Sequence, residues 1–395
     1  MNFKGGIGMS AVACLLFIVK TSVCAQVWIQ TSAPSNRWYS VATSADGTKM
    51  AAVVNNSSPS FTGQIYCSTN SGATWATTSA SDTNWTSIAS SADGAKLAAC
   101  FNVPGGGRIY VSTNSGNTWQ QAGAPTSGWR SLASSANGQK LFAASSSGEV
   151  FVSTNSGGTW IAMNLVNTNW TSVSCSADGT KILVAANFGP TCISTNSGAT
   201  WVSGNSGSWF CTACSASGER FAVGGYDESA QPAIHVSTNS GATWENANAP
   251  SVPSWQSLCF SSDGLKLIVG GYPGPIYSSQ NLGGLWMSNS APYQLWRSIA
   301  GSADGNTLVA VAWGGSIFTL RSTPAPSLKL GQSSNSALLS WILPSTNFVL
   351  QQTASLSSTN WINVSNTPVL NLTNLQNEVT LPISMSNLFF RLKTP

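Results

Sequence analysis

The octapeptide Ser-Thr-Asn-Ser-Gly-Ala-Thr-Trp stands at Ser68 to Trp75 and returns unchanged at Ser194 to Trp201 and Ser237 to Trp244; single changes give the copies at Ser112 to Trp119 and Ser153 to Trp160. Around it lies a longer unit: a Trp-x-Ser opening, a Ser-Ala-Asp-Gly turn, a variable stretch, then the octapeptide. The opening tryptophans are Trp38, Trp85, Trp129, Trp170, Trp209, Trp255 and Trp296, at intervals of 47, 44, 41, 39, 46 and 41. A chain built this way must bury each copy against its neighbours, because one unit of this size has no core of its own.

Within the second unit, Trp85 to Ser90 alternates as a strand does, and Ala92-Asp93-Gly94-Ala95 is a turn. Lys96 to Phe101 and Arg108 to Ser112 read as the next two strands. The octapeptide then turns the chain into a fourth, Asn114 bonding backbone two residues on and Gly116 accepting positive φ. About four short strands per repeat of this period predict propeller blades rather than a helical solenoid. Small residues two and four positions after each opening Trp, such as Ser131 and Ala133, suit strands converging on a crowded axis, while larger ones at the third, such as Leu132, face a neighbouring blade. The seventh unit has its turn at Ser302 to Gly305 and a third strand at Ser316 to Leu320, but no octapeptide follows. Val27-Trp28-Ile29 precedes Trp38 by the spacing that separates Trp75 from Trp85, so the Trp28 strand is expected to complete the last blade and cover its edge.

Residues 1–25 read as a signal peptide: Lys4, an apolar run from Ile7 to Val19 closed by Lys20, and small residues before a cut near Ala25. That run is shorter than the roughly 20 residues a membrane helix needs. The expectation is a protein secreted or held at the cell surface or periplasm. Residues 26–323 are expected to form the propeller and 324–327 a linker. Residues 328–395 read as short strands at Ala337 to Trp341, Asn347 to Gln352, Trp361 to Val364, Glu378 to Leu381 and Leu388 to Leu392, and they resemble a small β-sandwich module of secreted bacterial proteins. The fold class is therefore all-β: a seven-bladed propeller closed by its N-terminal strand, followed by a C-terminal β-sandwich.

Charged residues make up only 7% of the chain and the formal net charge is +4. Without clustered Lys and Arg, nucleic acid is not an expected partner. Seven cysteines follow the leader: Cys67, Cys100, Cys175, Cys192, Cys211, Cys214 and Cys259. An odd number excludes a fully paired monomer. Cys211 and Cys214 have redox-motif spacing, but along a strand they point to opposite faces, so these thiols read as small apolar residues. No metal and no cofactor is expected.

The octapeptide resembles the Asp-box, or BNR repeat, Ser-x-Asp-x-Gly-x-Thr-Trp, of sialidases, Vps10-type receptors, xyloglucan hydrolases and photosystem II assembly factors. The resemblance spans roughly Val27 to Thr323 and implies a propeller whose boxes sit on turns away from the ligand face, each Trp packing between blades. This chain carries Asn where those families carry Asp, at Asn70, Asn114, Asn155, Asn196, Asn239 and the degenerate sixth copy, Asn281. Those asparagines are read as structural.

If repetitive turns occupy one end of the strands, the variable connections occupy the other, and function is expected there. Five of the seven aspartates, Asp46, Asp93, Asp178, Asp263 and Asp304, belong to the first hairpin turns. Asp82, Asp227 and the adjoining Glu228 do not, so Tyr226, Asp227 and Glu228 are the leading candidates. Aromatic residues Tyr272 and Trp313 and the arginines Arg130 and Arg297 beside opening tryptophans complete the candidate set, with Trp313 to Gly315 read as a loop. No sialidase-type tyrosine–glutamate nucleophile is evident, and no catalytic residue is assigned. The expected function is a monomeric, non-catalytic binding or scaffold protein recognising a glycan or a protein; the alternative is a glycoside hydrolase.

Overall fold

The computed structural model describes residues 27–56, 62–165, 168–321, 328–333, 336–342, 348–354, 360–382 and 388–393. The expected leader, 1–25, and linker, 324–327, lie outside them. The described residues contain strands and turns and no helix, hence no helix long and apolar enough to cross a membrane. They divide into two compact units, one of residues 27–321 with 372–375 and one of the described residues within 328–371 and 376–393.

In the first unit the repeats become antiparallel sheets. The second repeat gives Trp85–Ser90, Leu97–Phe101, Ile109–Ser112 and Gln120–Gln121, each paired to the next. The strands start a residue later than Lys96 and Arg108. The third and sixth repeats form four-stranded sheets of the same order. Two boundaries differ. One uninterrupted strand, Val202–Cys214, is the outermost strand of the fourth repeat and the innermost of the fifth. Further round, Thr307–Gly315 runs past its own hairpin so that Trp313 and Gly315 pair with Arg37 and Asn36. Trp313 to Gly315 is thus the end of a strand and not the loop that its Gly-Gly sequence predicts. Trp28–Gln30 pairs antiparallel with Ile317–Arg321, Trp28 opposite Leu320, and occupies the edge that the truncated last repeat leaves open.

Each opening Trp is no more than 1% exposed and packs with residues of the neighbouring repeat. Trp129, for example, lies among Cys100, Ile109 and Val111 of the preceding sheet. The first strands pack side by side in a closed cycle that returns from Trp296–Gly301 to Asn36–Thr43.

Beyond those two junctions the inner edge of each first strand has no further strand to pair with, so its backbone groups need other partners. The Ser two residues after the Trp supplies one. Oγ of Ser40, Ser87, Ser131, Ser172, Ser257 and Ser298 each accepts from a backbone N–H of the next first strand, at 2.8 to 3.2 Å. The residue is small and hydroxylic for a bond as well as for space. In the fifth repeat Cys211 replaces it, and its thiol donates to the carbonyls of Gly224 and Trp255. At the hairpin end a second cycle closes entirely through backbone: Ala45 N donates to Ala92 O, Ala92 to Ala136, Ala136 to Ala177, Ala177 to Ala216, Ala216 to Ser262, Ser262 to Ala303, and Ala303 back to Ala45, at 2.6 to 2.9 Å.

The octapeptides turn through two consecutive left-handed residues, such as Ser115 at φ 57° and Gly116 at φ 88°. Asn114 holds the turn with both ends of its amide. Oδ1 accepts from Thr118 N at 2.9 Å and Ser112 Oγ at 3.0 Å, while Nδ2 donates to Thr118 Oγ1 at 2.9 Å. The same bonds recur at Asn70, Asn155, Asn196 and Asn239. At the sixth copy Leu285 stands where the others have Thr, and Asn281 keeps only the oxygen-side bonds, to Leu285 N and Ser279 Oγ. Each strong copy also lies beside its own first hairpin turn, as Ser115 N donates to Ala95 O at 2.8 Å. Lys49, Lys96, Lys140 and Lys181 cross to the following repeat and donate to Ser115, Ser156, Ser197 and Ser240 at 3.0 to 3.2 Å.

The C-terminal unit has a four-stranded sheet ordered Lys329–Ser333, Ser336–Ile342, Gln376–Pro382, Val369–Asn371 and a three-stranded one ordered Ile362–Asn363, Val349–Thr353, Phe389–Lys393. Its core, Leu339, Trp341, Leu350, Val379 and Leu381, draws on both sheets. Lys329–Ser333 and Val369–Asn371 are strands additional to those read from sequence; the latter's Val369 is 68% exposed, so no burial pattern marks it.

Replacing Ser87 by Ala leaves the Leu132 N–H without its acceptor in a buried setting. The expected loss is about 1–3 kcal/mol, measured by urea denaturation, with no change in near-ultraviolet dichroism of the folded protein.

Candidate functional site

The opening of each first strand carries a feature invisible in the repeat pattern. Pairing with the second strand shifts register between the Trp and the residue two positions on, in every repeat from Trp38/Ser40 through Trp209/Cys211 to Trp296/Ser298. The intervening residue is a β-bulge, a device that re-aims a side chain. These residues are Tyr39, Thr86, Arg130, Thr171, Phe210, Gln256 and Arg297. They lie at the strand end opposite the Ser-Ala-Asp-Gly turns. Thr86 and Thr171 donate to the carbonyls of Trp129 and Trp209 in the next repeat. The others form no such bridge, and their chemistry varies.

Three of them associate. The Arg297 guanidinium donates to Gln256 Oε1 at 2.6 Å and to the Tyr39 hydroxyl, and lies over the Tyr39 ring at 4.1 Å. Tyr39 in turn meets Trp313 edge to face at 5.9 Å, and Arg37 lies 5.8 Å from the Trp313 ring. The structure therefore brings Arg297 and Trp313 together. Arg130 is exposed at the equivalent position of the third repeat, Asp82 is exposed on the connection before Trp85, and Tyr272 follows the second strand of the sixth repeat, its N–H bonded to Ser254 O.

A second region forms where the fourth and fifth repeats meet. The interval of 39 residues between Trp170 and Trp209 is the shortest of the series, and the unbroken Val202–Cys214 strand is its structural expression. Elsewhere a loop fills this place. Here Gly189 faces Gly207 across the ladder, so two facing positions lack side chains. A Cβ on Gly207 would meet Tyr226 O at 2.6 Å and the Trp209 ring at 2.7 Å. Beside this gap rises the longer connection after Phe221–Tyr226. The result is an open cleft of about 740 Å³ whose walls include Phe188, Phe210, Tyr226, Asp227 and Glu228. Phe210 belongs both to the bulge series and to the cleft.

Within the cleft, Phe210 and Tyr226 meet at 5.6 Å and 88°, and the Tyr226 hydroxyl donates to Pro253 O at 2.8 Å. Asp227 Oδ1 accepts from the backbone N–H groups of Ser229 at 2.9 Å and Gln231 at 3.0 Å, which fixes the loop. Glu228 is exposed. Phe188, unmarked by the repeat pattern, occupies the tight turn between Ile182–Ala186 and Gly189–Ser194 at φ 56° and is 87% exposed. A non-glycine residue in that conformation costs about 1–2 kcal/mol, and an exposed Phe gains nothing by burial to offset it. Among the described residues it is the one aromatic side chain carried on a left-handed backbone.

His235 lies behind this wall. Its Nδ1 accepts from Asn205 Nδ2 at 2.8 Å and its ring meets Trp209 at 5.2 Å. Burial lowers its pKa, and the nearby Asp227 carboxylate partly opposes that. The cysteines are free thiols, and burial pushes Cys67, Cys100, Cys175 and Cys259 up to about 12, out of reach of thiolate chemistry at neutral pH. Among the described residues no group of three or more His, Cys, Asp or Glu could hold a metal ion.

Sheets of this kind arranged about an axis are those of a β-propeller, and comparison with solved structures shows the same fold. YCF48 bound to D1 peptide matches with a TM-score of 0.57 at 15% identity, over 80% of this chain and 100% of that one. YCF48 from Cyanidioschyzon merolae matches with a TM-score of 0.54 at 14% identity, over 74% and 98%. No protein-family model matches the sequence, and no curated protein does.

Substituting Phe188 by Gly removes the strain, so chemical denaturation is expected to find stability unchanged or up to about 1 kcal/mol higher. His235, whose folded pKa is depressed, favours the folded state above its ordinary value of 6.5 and loses that contribution as pH falls from 6.5 through the lowered folded value. The thermal midpoint should therefore drop over that window, and drop less in His235→Gln.

Proposed function

We propose that residues 26–323 form a seven-bladed β-propeller closed by its N-terminal strand and that residues 328–395, joined through 324–327, form a β-sandwich module. The protein is exported after loss of residues 1–25 and acts as a monomeric, non-catalytic binding or scaffold protein. Its ligand is a protein or glycan held at the variable-loop face. The sheet groups, the cycle of first strands and the Trp28 pairing support the architecture. The observation that carries the function is the division between the two ends of the strands. At one end asparagine amides, lysine ammonium groups and backbone N–H groups are bonded to neighbouring repeats or to their own turns. At the other, Tyr226, Asp227 and Glu228 line an open cleft, while Arg130 and Arg297 stand on first-strand bulges, Trp313 at the end of a strand, and Asp82 and Tyr272 on connections of other repeats, with chemistry that is not repeated.

A peptide ligand is supported by the YCF48 fold having been solved with a D1 peptide. A hydrolase has less support, since a glycosidase needs two carboxylates on either side of the scissile bond, whereas Asp227 and Glu228 are neighbours on one loop. Hydrogen exchange of the protein, mixed in turn with hits from a glycan array and from a peptide array, should slow at Asn187 to Gly189, Tyr226 to Ala230 and the residues after the opening tryptophans. Protection confined to the octapeptide turns would place recognition at the wrong end and sink this reading.

A further inference from the structure

We propose that the cleft between the fourth and fifth repeats is a receptor for a basic side chain, arginine or lysine, of a peptide partner. This rests on the variable-loop face being the binding face and adds the chemistry of one subsite. Three aromatic side chains, Phe188, Phe210 and Tyr226, line the cleft with the carboxylates of Asp227 and Glu228. An aromatic face attracts a cation through its quadrupole, most strongly where water is partly excluded. Phe210 and Tyr226 stand at 88° to each other. Because the two rings pack edge to face, the cleft presents aromatic surface in two orientations, which a compact cationic head can meet from either side, whereas a sugar ring needs one broad open face.

The acids supply the complementary charge. Asp227 uses Oδ1 for its loop, which orients the carboxylate without occupying Oδ2, and Glu228 is exposed beside it. The placement is selective: Asp46, Asp93, Asp178, Asp263 and Asp304 all lie on first hairpin turns, at the far ends of the strands. The arginine cluster of Arg37 and Arg297 lies with Tyr39 and Trp313 instead. A cleft of about 740 Å³ exceeds one side chain and leaves room for flanking peptide backbone. The strained, solvent-facing Phe188 then has a purpose, since its ring closes over the aliphatic stem of the bound side chain.

The test titrates an acetylated, amidated Gly-Gly-Arg-Gly-Gly peptide and its citrulline isostere, equal in shape but uncharged, against the protein by NMR. The arginine peptide should shift the resonances of Phe188, Phe210 and Tyr226. The citrulline peptide should bind about tenfold more weakly, and affinity for arginine should fall as salt is raised. Phe188→Gly, which relieves strain and keeps the fold, and Glu228→Gln should each weaken the arginine peptide several-fold without altering the melting curve to match. Equal binding of the two peptides in the cleft overturns the cation assignment while leaving the binding face intact. Native affinity in both variants, or no shift in the cleft by either peptide, overturns the receptor. Exchange protection at the octapeptide turns would instead remove the face on which it stands.

Discussion

A strand at the inner edge of a radial sheet exposes a row of N–H and C=O groups that no further strand can pair, and leaving them unsatisfied in a buried place costs about 1–3 kcal/mol each. This protein answers the problem by making each edge the partner of the next. The hairpin backbone cycle from Ala45 to Ala303 and back works in one way, the serine hydroxyls in another, and the two threonines after Trp85 and Trp170 in a third. The first two need a closed ring, because an open one orphans the Ala303 N–H in the backbone cycle and the Val41 N–H in the serine series. The repeat is therefore held to its sequence by the axis as much as by the tryptophan cores between sheets.

That constraint explains which parts of the molecule were legible in the sequence. Positions engaged in satisfying neighbours repeat: the Trp, the Ser two residues on, the Ala of the hairpin turn, the octapeptide Asn. Period-two alternation and glycine-marked turns placed the strands to within a residue or two, and the spacing of Trp28 from Trp38 predicted a strand that the structure pairs with Ile317–Arg321. The bulge after each Trp was hidden because it adds one residue to a strand without disturbing the interval to the next turn. Trp313 reads as a loop residue because Gly314 and Gly315 follow it, whereas in the structure their freedom serves a strand that changes partner and pairs with Asn36 and Arg37.

The candidate site was half visible. Tyr226, Asp227 and Glu228 stood out in a chain with few acids, and the structure brings them to one cleft. Arg297 and Trp313 meet through Tyr39, whereas Asp82, Arg130 and Tyr272 belong to other repeats. Phe188 carries no mark in the sequence, because a lone aromatic in a short turn has no periodic signature. The available signal was a deletion: the Trp170 to Trp209 interval is the shortest, and a missing connection on a crowded rim is a hole. Arrangement of the residues around that hole depends on loop geometry, which the repeat does not encode.

The pairing of Trp28–Gln30 with Ile317–Arg321 also sets an order of events. In a chain made from its N-terminus, that first strand has no partner until nearly three hundred residues later have been synthesised, and sequence-distant pairings of this kind form slowly. Until then the nascent chain carries two unfinished edges, one at each extremity, inviting the same contacts between molecules that they will eventually make within one. Ring closure therefore waits on Ile317–Arg321, and the pairing made there covers an edge that would otherwise be open to another chain.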